Sequence, residues 1–252
     1  NKLKDYLSKK TTVKPTFNSN MARDFNRKAI QLNEWFVQDF PQDPKIDQAL
    51  FFLGYNHFEL GDANRGKGYY ERLTKEYPQS PFVDESNFAL GEFHFEKEQW
   101  KQALGYYNKV ADNKRARLFS FALYKSAWCN YKLGAVKPAL ALLERVVRAG
   151  RVAKGTKDGS DGGVSRIRLA TEAMKDLVVF YAEVGAPQGA RAYFERVAGE
   201  KATFGLVEKL AYYYADTGNR DGAKYIFEEL IELKPNAPKA YDYQYQVVSM
   251  YA

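Results

Sequence analysis

The chain has 252 residues, of which 45% are hydrophobic and 15% aromatic, enough apolar surface to bury a full core and to exclude a disordered chain. Charges interrupt the apolar stretches every few positions, which excludes an ordinary membrane-spanning helix. A single cysteine excludes an internal disulfide framework, and the net charge of +7 is concentrated in residues 101–157, which hold thirteen Lys/Arg and two Asp/Glu.

The first predicted elements are a leader and a cap. Residues 1–17 are rich in lysine and poor in apolar residues, which predicts a flexible basic leader. Residues 18–45 are predicted to contain a long helix that ends near Pro41 and caps the region after it. The apolar face of this capping helix is predicted to consist of Ala29, Leu32, Trp35, Phe36 and Phe40.

A repeat of about 34–37 residues organises the rest of the chain. Asp47-Gln-Ala-Leu-Phe-Phe-Leu-Gly54 aligns with Asp84-Glu-Ser-Asn-Phe-Ala-Leu-Gly91 at an offset of 37 residues. Each copy predicts two amphipathic helices around a short turn, because apolar residues recur every three or four positions on both sides of the turn. Neither helix buries its apolar stripe alone, so the copies must stack. We assign repeats 1–3 to residues 46–149 and repeats 4–5 to residues 164–237.

Small and large residues occupy fixed places in the repeat, which predicts close packing of the two helices in each copy. Gly54, Gly91 and Ala127 lie in the first helices. The large side chains predicted to face such small residues are Tyr70, Tyr107, Leu143, Phe194 and Phe227.

These residues resemble the tetratricopeptide repeat, whose signature is a Leu-Gly pair in the first helix, an Ala and an aromatic residue in the second, and a terminal Pro. The first copy carries Leu53-Gly54, Gly66, Tyr70 and Pro78. The resemblance covers residues 46–235. It implies an all-α fold, a right-handed α-solenoid of about five helix pairs with an N-terminal capping helix and a truncated C-terminal repeat.

One segment is similar to a particular group of tetratricopeptide proteins. Lys75-Glu-Tyr-Pro-Gln-Ser-Pro81 resembles those of the Gram-negative cell envelope, such as the Tol-Pal coordinator and the lipoprotein of outer-membrane barrel assembly. The resemblance implies a bacterial protein that is periplasmic or associated with the outer membrane. A cytoplasmic location is the alternative.

Two segments interrupt or end the repeats. Residues 150–163 contain five glycines and no helical periodicity, which predicts a flexible insertion between repeats 3 and 4. Residues 238–252 are predicted to form the first helix of a further, incomplete repeat. No second helix covers the apolar face of this helix, so we expect either further repeats or end-to-end self-association. The face consists of Tyr241, Tyr245, Val248 and Tyr251.

The sequence offers few groups for catalysis or metal binding. His57 and His94 fall at the same place in successive repeats, which indicates a packing role. Cys129 follows Trp128 in a predicted helix and is interpreted as a small buried residue. Convergent polar side chains are not evident, so we predict that the protein is not an enzyme and has no metal and no cofactor.

The strongest functional signal is a set of aromatic residues on the first helices of repeats 1–3. The first helices of stacked helix pairs line the concave surface, where such residues form a groove for a protein or peptide with apolar or proline-rich side chains. The sequence therefore predicts a non-catalytic interaction scaffold, with the groove residues Phe51, Tyr55, Phe58, Phe88, Glu92, Phe95, Tyr124, Trp128 and Tyr131.

A basic patch is the second signal. Its residues recur every third position from the end of one helix into the predicted insertion, so they either complement the helix dipole or bind an acidic partner or an anionic headgroup. The alternative function is a nucleic-acid-binding solenoid that uses residues 101–157. Glutamates beside the aromatic residues disfavour it, because they repel phosphate. The patch consists of Arg145, Arg148, Arg151, Lys154 and Lys157.

Overall fold

In the computed structural model, the described residues are 19–156 and 160–251, and they form twelve α-helices, one short 3-10 turn and no strand. The predicted all-α fold class is confirmed. The predicted leader, residues 1–17, lies outside the described residues. The helices are α1 Ser19–Asp39, α2 Ile46–Glu59, α3 Ala63–Glu76, α4 Val83–Glu96, α5 Trp100–Asp112, α6 Phe119–Lys132, α7 Val136–Gly155, α8 Asp161–Val184, α9 Ala190–Ala198, α10 Glu200–Asp216, α11 Arg220–Leu233 and α12 Ala240–Ser249.

The chain divides into two compact units, residues 1–86 and residues 87–252. The first unit contains α1, α2 and α3, and its core consists of Ile46, Leu50 and Leu73. The second unit contains α5 to α12 and most of α4. Its largest core joins α6 to α12 through fully buried side chains such as Leu143, Phe194 and Phe227, which agrees with their predicted packing role.

Antiparallel helix pairs are the local building block. In the first pair, Gly54 on α2 meets Tyr70 on α3, and Phe58 meets Gly66. A Cβ atom added to Gly54 would lie 2.5 Å from Cε1 of Tyr70, and the same distance separates such an atom on Gly91 from Cε1 of Tyr107. The glycine of the Leu-Gly pair is therefore required because the aromatic ring of the second helix occupies the space of its side chain.

The turn inside four of the helix pairs uses a left-handed backbone, whereas Gly185 in the turn between α8 and α9 has φ of −92°. Gly61, Gly134 and Gly218 have φ of 85°, 78° and 83°. Glu98, which corresponds to Gly61 at an offset of 37 residues, has φ of 56°. Side chains rarely adopt this conformation, so glycine is the favoured residue at this position of the turn.

The predicted insertion is shorter than the sequence indicates. Helix α7 runs to Gly155 and α8 begins at Asp161, where the side chain of Ser160 accepts a hydrogen bond from Gly163 N. Gly150 lies inside α7 and packs on α8, where an added Cβ would lie 2.3 Å from Cβ of Ala170. We interpreted Gly150 and the glycines after it as signs of a flexible segment. In the structure, the missing side chain of Gly150 lets α7 and α8 approach each other.

The capping helix is present, but its predicted packing face is partly wrong. Phe36 and Val37 pack against the core of the first unit, whereas Leu32, Trp35 and Phe40 are exposed. The apolar residues of α1 form two adjacent stripes, and periodicity alone does not say which one makes contact. The observed face also brings the carboxylate of Glu34 within hydrogen-bonding distance of Tyr69 on α3.

The last helix, α12, has one buried and one exposed face. Ala240 and Tyr243 are buried, and the hydroxyl of Tyr243 donates a 2.6 Å hydrogen bond to Glu208 on α10. The predicted apolar face is exposed, with Tyr241 the most exposed at 80%. Self-association through this face stays a prediction.

Among the described helices, none is both long enough and apolar enough to cross a membrane.

Candidate functional site

The predicted groove residues on α2 are packed against other rings of the first unit. Phe51 stacks on Phe82, with ring centroids 4.7 Å apart, and Phe58 stacks on Tyr70 at 5.6 Å. Tyr55 is 48% exposed. Phe51 and Phe58 therefore belong to an apolar cluster around Tyr70, and Tyr55 is the most exposed of the three predicted groove residues on α2.

The predicted groove residues on α4 surround Tyr107 of α5. The rings of Phe88 and Phe95 lie 5.5 and 6.3 Å from that of Tyr107. Glu92 accepts a hydrogen bond from the Tyr107 hydroxyl and another of 2.9 Å from Lys125 Nζ, which lies 4.4 Å above the Phe95 ring. Glu92 is thus an internal ion-pair partner, with Lys125 shared between its carboxylate and an aromatic face.

On α6, two aromatic side chains share one carboxylate oxygen. The Tyr124 hydroxyl donates a 2.7 Å hydrogen bond to Asp176 Oδ2, and Trp128 Nε1 donates one of 3.1 Å to the same atom. Burial raises the pKa of Asp176 above its ordinary value, although both hydrogen bonds act in the opposite direction. Burial, followed by the hydrogen bond to Asp176, raises the pKa of Tyr124 to about 12.

Tyr131, the third predicted groove residue on α6, is held in a similar way. Tyr131 stacks on Phe180, with parallel rings 4.0 Å apart, and its hydroxyl donates a hydrogen bond to Glu183. That hydrogen bond, followed by burial, raises the pKa of Tyr131 to about 12. The ring of Trp128 meets Phe180 edge-on at 5.2 Å. We call Tyr124, Trp128 and Tyr131 the aromatic row.

The exposure predicted for the groove is wrong for most of its residues. Only Tyr55 is exposed, and the other eight are half-buried because neighbouring helices supply rings and carboxylates to them. Sequence reasoning missed Asp176, Phe180 and Glu183 on α8. A signal was available, since these three residues follow Tyr124, Trp128 and Tyr131 at a constant separation of 52 residues.

The predicted basic patch is divided between two cavities of the second unit. Arg145 and Arg148 line one of them, and Arg151 and Lys154 line the other. Arg151 also donates a 2.8 Å hydrogen bond to the carbonyl of Val197. Lys157 lies outside the described residues. Successive residues three apart drift around a helix, so a row of this spacing does not stay on one face of α7.

The cavity that contains Arg145 and Arg148 is a groove of about 490 Å³, which we call the basic groove. It lies beside the connection between α5 and α6, the start of α6 and the second half of α7. Its described lining includes five basic side chains and no acidic one. The basic residues are Lys114, Arg117, Arg145, Arg148 and Arg166.

The histidines and the cysteine have packing roles. His57 stacks on Tyr69 and His94 on Tyr106, both with ring centroids 5.4 Å apart. Cys129 is fully buried, and burial raises the pKa of its thiol to about 12. Within the described part of the chain, no group of three His, Cys, Asp or Glu side chains is arranged to hold a metal ion.

The paired helices, the Leu-Gly contacts and the left-handed turns fit one known repeat, and a family model matches two parts of the chain. The model of the tetratricopeptide repeat matches residues 48–80, which contain α3 and most of α2, and residues 121–149, which lie in α6 and α7. The protein contains tetratricopeptide repeats.

Similar solved structures have low sequence identity to this tetratricopeptide repeat protein. Pseudomonas aeruginosa pilF is 15% identical over 89% of this chain and 99% of its own, with a TM-score of 0.46. The APC/C hetero-tetramer Cut9-Hcn1 contains a chain that is 12% identical over 90% of this chain and 46% of its own, with a TM-score of 0.39. No curated protein matches the sequence.

Proposed function

We propose that the protein is a non-catalytic scaffold that binds a peptide segment of a partner protein on the aromatic row of its second unit. Tetratricopeptide repeats support protein interaction as the general function. The observation that carries the more specific proposal is the arrangement of Tyr124, Trp128 and Tyr131, which are half-buried and fixed by Asp176, Phe180 and Glu183 of α8.

Fixed rings favour binding because little freedom is lost when a ligand covers them. A free aromatic side chain loses rotamer entropy on binding, whereas Trp128 is already held by a hydrogen bond to Asp176 and by the edge contact with Phe180. The exposed part of each ring then adds contact area at small cost. Pre-ordering of this kind is typical of aromatic anchors in protein interfaces.

The chemistry around the aromatic row indicates which peptides bind. The carboxylates of Asp176 and Glu183 lie beside the row. Tyr124, Trp128 and Tyr131 already donate their hydroxyl or indole hydrogens to these carboxylates. An acidic segment would meet like charge and few free donors. Apolar or proline-rich segments are therefore the preferred ligands, because they need contact area rather than hydrogen bonds.

We also propose that the scaffold serves a bacterial cell-envelope assembly, in the periplasm or at the outer membrane. The support is the similarity of residues 75–81 to envelope tetratricopeptide proteins. Fractionation of the source cell tests this location. Recovery with periplasmic or outer-membrane markers is expected, and recovery with cytoplasmic markers alone would overturn the envelope proposal and leave peptide binding untouched.

The binding proposal is tested by selecting ligands from a phage-displayed random peptide library on the immobilised protein. The selection is carried out at high salt, which weakens binding of acidic peptides elsewhere on the protein, and the selected peptides are expected to be rich in proline and apolar residues and poor in Asp and Glu. In calorimetric titrations with the best peptide, Trp128→Ala is expected to weaken binding by about 1–3 kcal/mol, as for a central aromatic anchor.

The matched control is Tyr225→Ala, which removes an exposed ring from α11 of the same unit. The control variant is expected to bind like the original protein, and circular dichroism should show that both variants keep their helices. Equal binding by a folded Trp128→Ala variant, or equal losses in the two variants, would contradict the proposal.

A further inference from the structure

The basic groove has a ligand chemistry that the aromatic row does not share. We propose that it is a second binding site, which takes an acidic peptide segment carrying apolar side chains beside its carboxylates. This inference does not depend on the proposed role of the aromatic row. The groove measures about 490 Å³, and the residues that matter most for the inference are Lys114, Phe119, Arg145, Arg148 and Val152.

Charge selects an anionic ligand. Five basic side chains line the groove, and its described lining has no carboxylate. The surrounding sequence has the same imbalance, with thirteen basic and two acidic residues over positions 101–157. Lysine and arginine pairs with carboxylates are stronger than neutral hydrogen bonds, and arginine can hold both oxygens at once.

The helix dipole does not account for the arginines of the groove. Basic residues stabilise the C-terminal end of a helix only within about its last turn. Helix α7 ends at Gly155, so Lys154 lies in the last turn, whereas Arg145 and Arg148 lie about two or more turns away. Their charge is therefore surplus to what the helix end requires and is available to a ligand.

The groove is also apolar and partly ordered. The Arg145 guanidinium lies over the Phe119 ring, 5.8 Å from its centroid, which restricts the arginine before a ligand arrives. Val152 is 61% exposed and lines the groove with Leu123 and Ala149. A ligand that carries only charge would leave these apolar walls uncovered, so the best ligand presents apolar side chains as well.

These features favour a peptide over a nucleic acid or a membrane. Base stacking needs an open aromatic face, and a guanidinium already covers Phe119. A bilayer surface meets protruding groups, whereas this site is a recess beside α7. A peptide enters such a groove and offers carboxylates and apolar side chains in one segment.

The experiment uses a short fluorescein-labelled peptide in which glutamates alternate with leucines, and the same peptide with glutamine in place of glutamate. Fluorescence anisotropy measures binding to the full chain, to the double variant Arg145→Gln/Arg148→Gln and to the variant Val152→Glu. The matched control is Lys132→Gln/Lys137→Gln, which removes two exposed positive charges, one at the end of α6 and one in the first turn of α7, outside the lining of the groove. Parallel titrations use a labelled single-stranded oligonucleotide and vesicles that contain an anionic phospholipid.

The acidic peptide is expected to bind, and its affinity should fall with salt. The arginine double variant and Val152→Glu should each weaken it about tenfold or more, while the lysine double variant changes it less than about twofold. Because all substituted side chains are exposed, the variants should fold. Equal binding of the glutamine peptide, equal losses in both double variants, or arginine-dependent binding of the oligonucleotide or the vesicles without the acidic peptide would overturn the proposal.

Discussion

The predicted groove residues of α2 and those of α6 occupy the same repeat positions, 73 residues apart, yet they are held by different contacts. On α2, the ring of Phe51 lies against those of Phe52, Tyr70 and Phe82, and Phe58 stacks on Tyr70. On α6, Tyr124, Trp128 and Tyr131 all donate hydrogen bonds to α8, and Trp128 and Tyr131 also contact the ring of Phe180. Equivalent positions are therefore fixed differently, because Tyr124 and Tyr131 have hydroxyl groups that reach carboxylates, whereas Phe51 and Phe58 have none.

Phe180→Ala should break this comparison most strongly. Phe180 is fully buried and supports Tyr131 and Trp128, so its truncation leaves a cavity and removes both ring contacts. We expect a loss of about 3–5 kcal/mol in the free energy of unfolding. The corresponding change on the α2 side, Phe82→Ala, removes a half-buried ring and should cost about 1–2 kcal/mol.

Urea unfolding followed by circular dichroism measures both losses. A larger loss for Phe82→Ala than for Phe180→Ala would show that the α2 residues, and not the aromatic row, depend more on their neighbouring ring.

A smaller effect is expected in the dependence of stability on pH. It sharpens the comparison because Asp176 holds two residues of the aromatic row. Burial raises the pKa of folded Asp176 above the ordinary value of 3.8 that it regains on unfolding. The folded protein therefore binds this proton more tightly. The resulting stabilisation is complete below the ordinary value and is lost as pH rises through the raised pKa.

Glu208 provides an internal contrast for the pH experiment. Burial acts to raise the pKa of Glu208, but the hydrogen bonds from Lys239 and Tyr243 and the charge of Lys239 outweigh it, so the pKa of Glu208 lies below its ordinary value. Its stabilisation is present above the ordinary value and is lost as pH falls through the lowered pKa. Asp176→Asn and Glu208→Gln should therefore change the pH profile of the midpoint temperature in opposite directions. Changes of the same sign would contradict the assignment.

The smallest effect is expected for Tyr55→Ala. Tyr55 is 48% exposed and no described hydrogen bond holds its hydroxyl, in contrast to the corresponding residue Trp128. We expect the free energy of unfolding to change by less than about 0.5 kcal/mol, as for most surface substitutions. Thermal unfolding of the variant checks this value, and a loss above about 2 kcal/mol would mean that Tyr55 packs as tightly as its counterpart on α6.

Local pattern was enough to predict the helix pairs and their close contacts. The repeat places Gly54 opposite Tyr70 and Gly91 opposite Tyr107, because a fixed period transfers each contact from one copy to the next. The same pattern predicted which apolar face of α12 is uncovered. It failed at α1, which has two neighbouring apolar stripes. The stripe with Phe36 and Val37 packs on the core, and Glu34 contacts Tyr69 in this orientation.

The site was less predictable than the fold, since it depends on contacts between repeats. Gly150 was interpreted as a loop residue, although its partner Ala170 on α8 makes it a close-packing position. The carboxylate of Asp176 was not assigned to the site, because its partners lie 48 and 52 residues away along the chain. The constant separation of 52 residues between α6 and α8 would have identified Asp176 as a partner, but only if the two helices were already known to be neighbours.

Photo-crosslinking tests the central claim, that the aromatic row binds the peptide, most directly. Trp128 or the control residue Tyr225 is replaced by the photoreactive amino acid p-benzoylphenylalanine, and the protein is irradiated with the best peptide selected from the random library. The account predicts a crosslinked product for the change at Trp128 and none for the change at Tyr225. Crosslinking at Tyr225 alone, or at neither position while calorimetry shows binding, would contradict it.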